Sequence, residues 1–310
     1  MRFKSMEGYR PTRIGLFDSR NDLIGGAMFL QYAGPSQGGM VLCPEGPVLP
    51  WDDIEQSRAC LKAIVGEARR LSEASGDIGL RVEPHLSPPR PSLLRNFTRA
   101  PVDLNPIHTL MLEITLPDET IRAKMHPKGR YNLGLSARHG VQVSRSNSID
   151  DINAFYAIFE ETAIRGRFFS EPYGFFLNLG AALFPVGRAQ LYLAHWEGEM
   201  LASILVVFFG RRATYLYGGS RRVHRNVMPA YALHWAAIHD ARERGCVEYD
   251  FYGYDPYGHP EHLYAGISRF KKQWGAARRD YIGAYDCVFY DSLAGRIIDR
   301  IKQFPEDGQP

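Results

Sequence analysis

Residues 189–220, AQLYLAHWEGEMLASILVVFFGRRATYLYGGS, decide the fold. Three runs rich in aromatic and branched apolar residues, 189–196, 199–209 and 212–219, are divided by the turns His195-Trp196-Glu197-Gly198-Glu199 and Arg211-Arg212. That pattern predicts three successive antiparallel strands. Residues 229–245 follow as an amphipathic helix that stops at Gly245, and residues 247–251 form another short apolar strand. The order is β-β-β-α-β.

A looser version of the same order opens the chain. Residues 14–32 read as a hairpin around Arg20-Asn21-Asp22, and residues 39–44 as a third strand. A helix starts at the cap Asp52-Asp53, runs through Leu71 and ends at Ser75-Gly76-Asp77, before a strand over 78–82. Residues 84–91 are too proline-rich for regular structure. A strand over 109–116 ends at Pro117, a helix starts at Asp118, and residues 130–140 place Arg130 and Arg138 on a helix before a strand at 141–143. From Ile149 the pattern begins again: Asp150-Asp151 caps a helix over 152–162, interrupted at Arg165-Gly166-Arg167-Phe168-Phe169, and a second helix covers 174–183. These elements predict two domains, 1–148 completed by 282–310, and 149–281.

The β-β-β-α-β order resembles the core of the Gcn5-related N-acyltransferases, in which two middle strands splay apart to form a substrate cleft. The expected fold is α/β: two such domains in tandem, mixed sheets with flanking helices. A member of that fold using acyl-CoA should carry glycines before the helix at Pro229, where backbone N–H groups cradle a pyrophosphate. No glycine lies between Gly219 and Pro229, so a different acyl donor is expected.

Composition bounds the alternatives. With 310 residues, 45% hydrophobic and 12% aromatic, the chain is globular, and a formal charge of +3 is compatible with a phosphate-bearing partner without requiring one. No run approaches the ~18 apolar residues of a spanning helix, and the N-terminus has no apolar signal-like core. Cys43, Cys60, Cys246 and Cys287 have no CxxC spacing, which indicates neither a zinc site nor a redox pair. A cytoplasmic location with reduced thiols is expected. His259 and His262 lack a third ligand at suitable spacing and read as solvated loop histidines, so no metal and no other cofactor is expected.

The chemistry is expected in residues 245–285, which combine the strand at 247–251, a loop crowded with Tyr and His, a helical turn ending in Phe270-Lys271-Lys272 and a strand over 281–288. Taken alone, FKKxW reads as an amphipathic helix with Phe270 and Trp274 buried and the lysines solvated. In the competing reading, Lys271 or Lys272 faces an anion or a developing oxyanion.

Further motifs occur in a fixed order: Gly46-Pro47-Val48 before an acidic helix start, RYNLGLSARHGV over 130–141, Glu161-Thr162 with Arg165 and Phe168, Tyr215-Leu216-Tyr217-Gly218-Gly219-Ser220, Tyr249-Asp250-Phe251-Tyr252-Gly253, Arg269-Phe270-Lys271-Lys272 before Gly275, and Tyr281-Ile282-Gly283. In this order the chain resembles the Fem family (FemABX-like) of aminoacyl-tRNA-dependent peptidyltransferases, in a compact form without the coiled-coil arm. The resemblance implies transfer of an amino acid from aminoacyl-tRNA to an amine of a peptidoglycan-precursor-type peptide, nucleotide- or lipid-linked. It places the family's Phe-Lys pair on Phe270 and Lys271, with Lys271 where charge develops, and a phosphate-contacting arginine on Arg165. Asp250 is the local carboxylate for orienting an amine proton, with a strand-end cap as the alternative. Tyr215, Tyr217, Tyr252 and Tyr254 are expected to face substrate, or else the core. Arg221, Arg222, Arg225 and Lys272, with Arg278 and Arg279, are the basic residues for tRNA. One departure is that residues 33–39, AGPSQGG, lack the basic residue that the family carries near its opening hairpin. That departure leaves open tRNA-dependent amide formation on a peptide outside the cell wall, and two further readings fit the same fold: an acyl-CoA-dependent N-acyltransferase, and a binding module without activity.

Overall fold

The structure, a computed structural model, describes residues 1–34, 38–259 and 265–289. The chain divides into two compact units, one formed by Phe3–Asn105 with the residues from Tyr281 on, the other by Pro106–Asp280. No helix among the described residues is long and apolar enough to cross a membrane.

In the first unit a short helix α1 (Arg2–Met6) precedes the hairpin β1 (Tyr9–Phe17) and β2 (Leu23–Tyr32). Strand β3 (Met40–Cys43), helix α2 (Ile54–Ser75), and strands β4 (Gly79–Val82) and β5 (Thr98–Arg99) follow. Helix α2 begins where the side chain of Asp53 accepts from Gln56 N at 3.0 Å, and stops at Gly76 with φ 81°. Its buried face carries Cys60, Leu61, Ile64 and Ala68, the three-to-four spacing of one helical stripe, against Val41, Leu80 and Val82 of the sheet.

The second unit starts with β6 (His108–Glu113), helices α3 (Asp118–Lys124) and α4 (Pro127–Arg138), and strand β7 (Gln142–Ser146). Helices α5 (Asp151–Gly166) and α6 (Tyr173–Leu183) lead to the three strands read from sequence, β8 (Ala189–Trp196), β9 (Glu199–Phe209) and β10 (Arg212–Ser220). Helix α7 (Pro229–Glu243), strand β11 (Glu248–Gly253), helix α8 (Ala265–Lys271) and strand β12 (Ala277–Asp280) complete it. A last strand, β13 (Tyr285–Val288), belongs to the first unit's sheet, whose order is β1-β2-β3-β4-β13-β5. The second sheet has the order β12-β6-β11-β10-β9-β8-β7. Both sheets are mixed, and each contains one parallel pair joined by a helix, β3 with β4 and β10 with β11.

Three sequence expectations need correction. The division lies between Asn105 and Pro106 rather than near Ile149, because β6 pairs with β11 and β12 and so ties residues 106–148 to the second sheet. The strand expected over 281–288 is confined to β13 (Tyr285–Val288), which lies in a different sheet from β12; between the two the chain passes Gly283, where φ is 78° and a Cβ would come within 2.5 Å of Asp103 Oδ1. Helix α5 runs through Arg165 and ends only at Arg167, in the left-handed region at φ 53°.

Candidate active site

The parallel pairing of β10 with β11 covers only three positions, Arg212 with Glu248, Ala213 with Tyr249 and Thr214 with Asp250. Beyond them the strands separate. Strand β10 continues to Ser220 against β9 through a bulge between Tyr215 and Tyr217, while β11 continues to Gly253 against β6 through an irregularity after Asp250. The gap is a cleft of about 970 Å³ lined by Tyr215, Tyr217, Gly218, Gly219, Tyr252, Gly253 and residues of α5, α7 and α8. Gly219 is required by closeness: a Cβ there would lie 2.6 Å from Ile158 O and 2.6 Å from Thr162 Oγ1 of α5. Thr162 Oγ1 accepts from Ser220 N at 3.0 Å, which anchors the end of β10 to that helix.

Lys271 closes α8 and turns inward. It is 4% exposed, its Nζ donates to Gly253 O at 2.7 Å, and it stands over the Tyr215 ring at 5.3 Å. Burial lowers its pKa to about 7, against the pull of the Asp250 charge, so the ammonium and the amine are both populated near neutrality. The solvated-lysine reading therefore holds for Lys272, which is exposed, and not for Lys271. Phe270 lines the cleft with its ring centroid 5.1 Å from Tyr231 and 5.2 Å from His234.

Asp250 takes the strand-end role that was its alternative reading. It is 6% exposed and is not among the residues lining the cleft. Its Oδ1 accepts from Thr109 Oγ1 and, at 2.7 Å, from Tyr252 N. That second bond supports the left-handed backbone of Tyr252, φ 59°, just before the carbonyl of Gly253 that holds Lys271. Asp250 is thus a positioning residue of the strand end, and burial raises its pKa. Tyr254 is likewise buried outside the lining, under Lys272 Nζ at 5.5 Å.

The basic residues fall into separate places. Arg165, Arg221 and Arg225 line the cleft. The Arg165 guanidinium is held below its usual pKa by burial and then by the neighbouring charge of Arg225, although Glu161 Oε1 lies 3.5 Å away. Arg221 has a buried Nε with no hydrogen-bond partner among the described residues. Arg222 lies outside the lining, its backbone N donating to Glu161 Oε1 at 3.0 Å. Arg279 pairs with Glu248 at 2.7 Å, and Arg278 with Asp280 at 2.8 Å. In the turn before α7, Val227 N and Met228 N donate to His224 O and Arg225 O at 3.1 and 3.2 Å, so these amides are spent inside the turn. His259 is exposed at the side chain and donates its backbone N to Asp255 Oδ2 at 2.8 Å; His262 lies outside the described residues. No group of three metal-binding side chains occurs among the described residues.

The sequence reading missed His234 and Tyr231, one turn apart on α7 and both lining the cleft. His234 is 1% exposed, its Nδ1 is 2.9 Å from Tyr249 OH, and burial, with the Lys271 charge second, lowers its pKa to about 3. It is a neutral imidazole wedged against Tyr215 at 4.5 Å. Tyr231 OH donates to Gln273 Oε1 and accepts from Asn132 Nδ2 at 3.1 Å. The available signal was their place in the first turns of the helix that follows β10, the end of the helix nearest the opening.

Comparison with known proteins agrees with this architecture. The FemAB family pattern matches residues 192–291. A lipid II:glycine glycyltransferase of Staphylococcus saprophyticus is 25% identical over 260 residues, 64% of this chain and 62% of that protein, so the chain spans less than two thirds of that relative. The solved structure of FemX superposes with a TM-score of 0.84 at 19% identity, covering 97% of this chain and 92% of the other. A tandem GNAT protein from the clavulanic acid biosynthesis pathway superposes with a TM-score of 0.56 at 12% identity, covering 92% of this chain and 85% of the other. At these identities the structural matches speak for the fold, tandem and GNAT-like, while the sequence matches speak for the lineage. Residues 192–291 thus match the FemAB family, within a chain that shares the fold of FemX over 97% of its length.

Proposed function

We propose that this protein is an aminoacyltransferase that moves an amino acid from aminoacyl-tRNA to an amine of a peptidoglycan-precursor-type peptide. The observation that carries the reading is the buried Lys271 ammonium, held by the Gly253 carbonyl at the wall of a cleft opened by strand separation. The relative from Staphylococcus saprophyticus is named for glycyl transfer to lipid II, which supports a peptide acceptor of the cell-wall type.

In this reading the acceptor amine attacks the ester carbonyl carbon of the donor. The C–N bond forms, the carbonyl oxygen takes up negative charge, and the ester C–O bond then breaks to release the ribose oxygen. The amine's proton ends on that oxygen, directly or through solvent. Lys271 supplies positive charge to the carbonyl oxygen or the departing ribose oxygen. The ester is already activated, so holding both reactants in one cleft supplies much of the rate. Arg165, Arg221 and Arg225 offer a cationic wall for phosphates of the acceptor or donor. The acyl-CoA reading is weakened by the turn before α7, whose amides at Val227 and Met228 are already bonded. The reaction belongs in the cytoplasm, where charged tRNA is made.

The test is to incubate the protein with total charged tRNA and a panel of muramyl peptides and read product masses. One aminoacylated peptide is expected, lost in Lys271→Ala. No product from any pairing, together with a thermal shift on adding CoA, would overturn the reading in favour of an acyl-CoA enzyme.

A further inference from the structure

The loop that presents Gly253 O to Lys271 continues outward into a cluster of rings that nothing in the cleft chemistry uses. Tyr257 is 68% exposed. Its ring lies 5.9 Å from that of His108, edge to face, and 5.8 Å from that of His259. The turn carrying Tyr257 and His259 is held from beneath by buried Asp255, which accepts from Tyr257 N at 2.9 Å and from His259 N at 2.8 Å and itself donates from N to Ser268 Oγ of α8, at 2.8 Å. The Tyr257 and His259 rings are thus exposed on a hydrogen-bonded support, with the His108 ring half-buried beside Tyr257.

Two cations lie in the adjoining segments. Lys272, the residue after Lys271, stands over Tyr254 at 5.5 Å, and Arg278 on β12 lies within electrostatic range of Tyr254 and Tyr257. Asp280 is the balancing carboxylate, bonded to Arg278 Nε at 2.8 Å and to His108 Nδ1 at 2.7 Å. Exposed rings interleaved with cations suit unpaired nucleotides, because every base has a face to stack and every linkage a negative charge.

We propose that Tyr257, His108 and His259, rimmed by Lys272 and Arg278, form a stacking platform for the unpaired 3′ end of an RNA. This rests on the aminoacyl-tRNA reading and gives it a place: the strand that carries the ester lies along the platform, its terminus entering the cleft at Lys271. The platform is distinct from the Arg165, Arg221 and Arg225 wall, which is left to the acceptor.

The full chain and Tyr257→Ala, an exposed substitution that spares the core, are compared for binding to an RNA hairpin with an unpaired 3′ ACCA tail and to the same hairpin with a blunt end. The intact protein is expected to prefer the tailed hairpin, and Tyr257→Ala to lose about tenfold in affinity for it. Tyr257→Trp should keep the preference, and KM for the acceptor peptide should stay unchanged while KM for charged tRNA rises in Tyr257→Ala. Equal binding of both hairpins by the intact protein, or an unchanged affinity in Tyr257→Ala, overturns the platform. A tail preference that depends on Tyr257 in a protein that transfers no amino acid from any charged tRNA supports the platform and overturns the function proposed above.

Discussion

The two parallel pairs of this protein are built alike and end differently. In the first unit β3 and β4, joined through α2, pair along all four residues of each, Met40 with Gly79 through Cys43 with Val82. In the second, β10 and β11, joined through α7, pair at three positions and part at Thr214 and Asp250. The closed pair fills its interior with Val41, Cys43, Leu80 and Val82. The open pair puts Tyr215, His234 and Lys271 beside its gap, each shifted from its ordinary pKa chiefly by burial. One crossover thus fills a core or opens a cleft according to whether the strands stay paired, and an incompletely neutralised buried charge marks the second case. Elsewhere in the same unit, buried Asp240 is fully engaged, with Arg145 at 2.6 Å, Arg244 at 2.9 Å and the Tyr192 hydroxyl, as a structural charge should be.

The comparison can be broken most severely at Lys271. Lys271→Met is expected to lower kcat about 100- to 1,000-fold while raising the melting temperature, since it removes a buried charge. A variant that keeps its rate, or that loses rate only because it unfolds, would remove the open pair's claim to chemistry. Next comes the closed pair: a Cβ on Gly79 would meet Cys287 O at 2.5 Å and Val288 Cα at 3.1 Å. Gly79→Ala should therefore destabilise the protein by about 2 kcal/mol in urea titration, with kcat per folded molecule unchanged.

The pH dependence sharpens the contrast further. If Lys271 acts as the ammonium, kcat/KM should fall about tenfold per unit as pH rises above its pKa of about 7. Stability moves the other way. Between pH 7 and 10.5 the unfolded chain holds a proton on this lysine that the folded chain has lost, so this group makes the fold more stable as pH rises through that window. Opposite slopes of rate and stability over the same range would identify one group behind both; parallel slopes would not. The smallest effect is expected at the cationic wall, where Arg165→Ala should raise KM for a phosphate-bearing acceptor about tenfold with little change in kcat, and Arg165→Lys should restore it only in part.

The sequence by itself determined the elements and their order. The apolar runs at 189–196, 199–209 and 212–219 match β8, β9 and β10 almost to the residue, because β8 and β9 are buried along most of their length and such strands read as near-continuous apolar runs bounded by turns. It also singled out Phe270 and Lys271 through the neighbouring motifs. Only the tertiary structure decided what depends on partners distant in sequence. The boundary moved to Asn105 because β6 found its mates far along the chain, at Glu248–Gly253 and Ala277–Asp280. Asp250 was turned from a candidate base into a support for Tyr252, and Lys271 was separated from Lys272, by which face of a strand or helix met the opening between β10 and β11. Local propensity sets periodicity; which face is buried, and which charge stays there against one carbonyl, is settled only when the second sheet and its helices pack together.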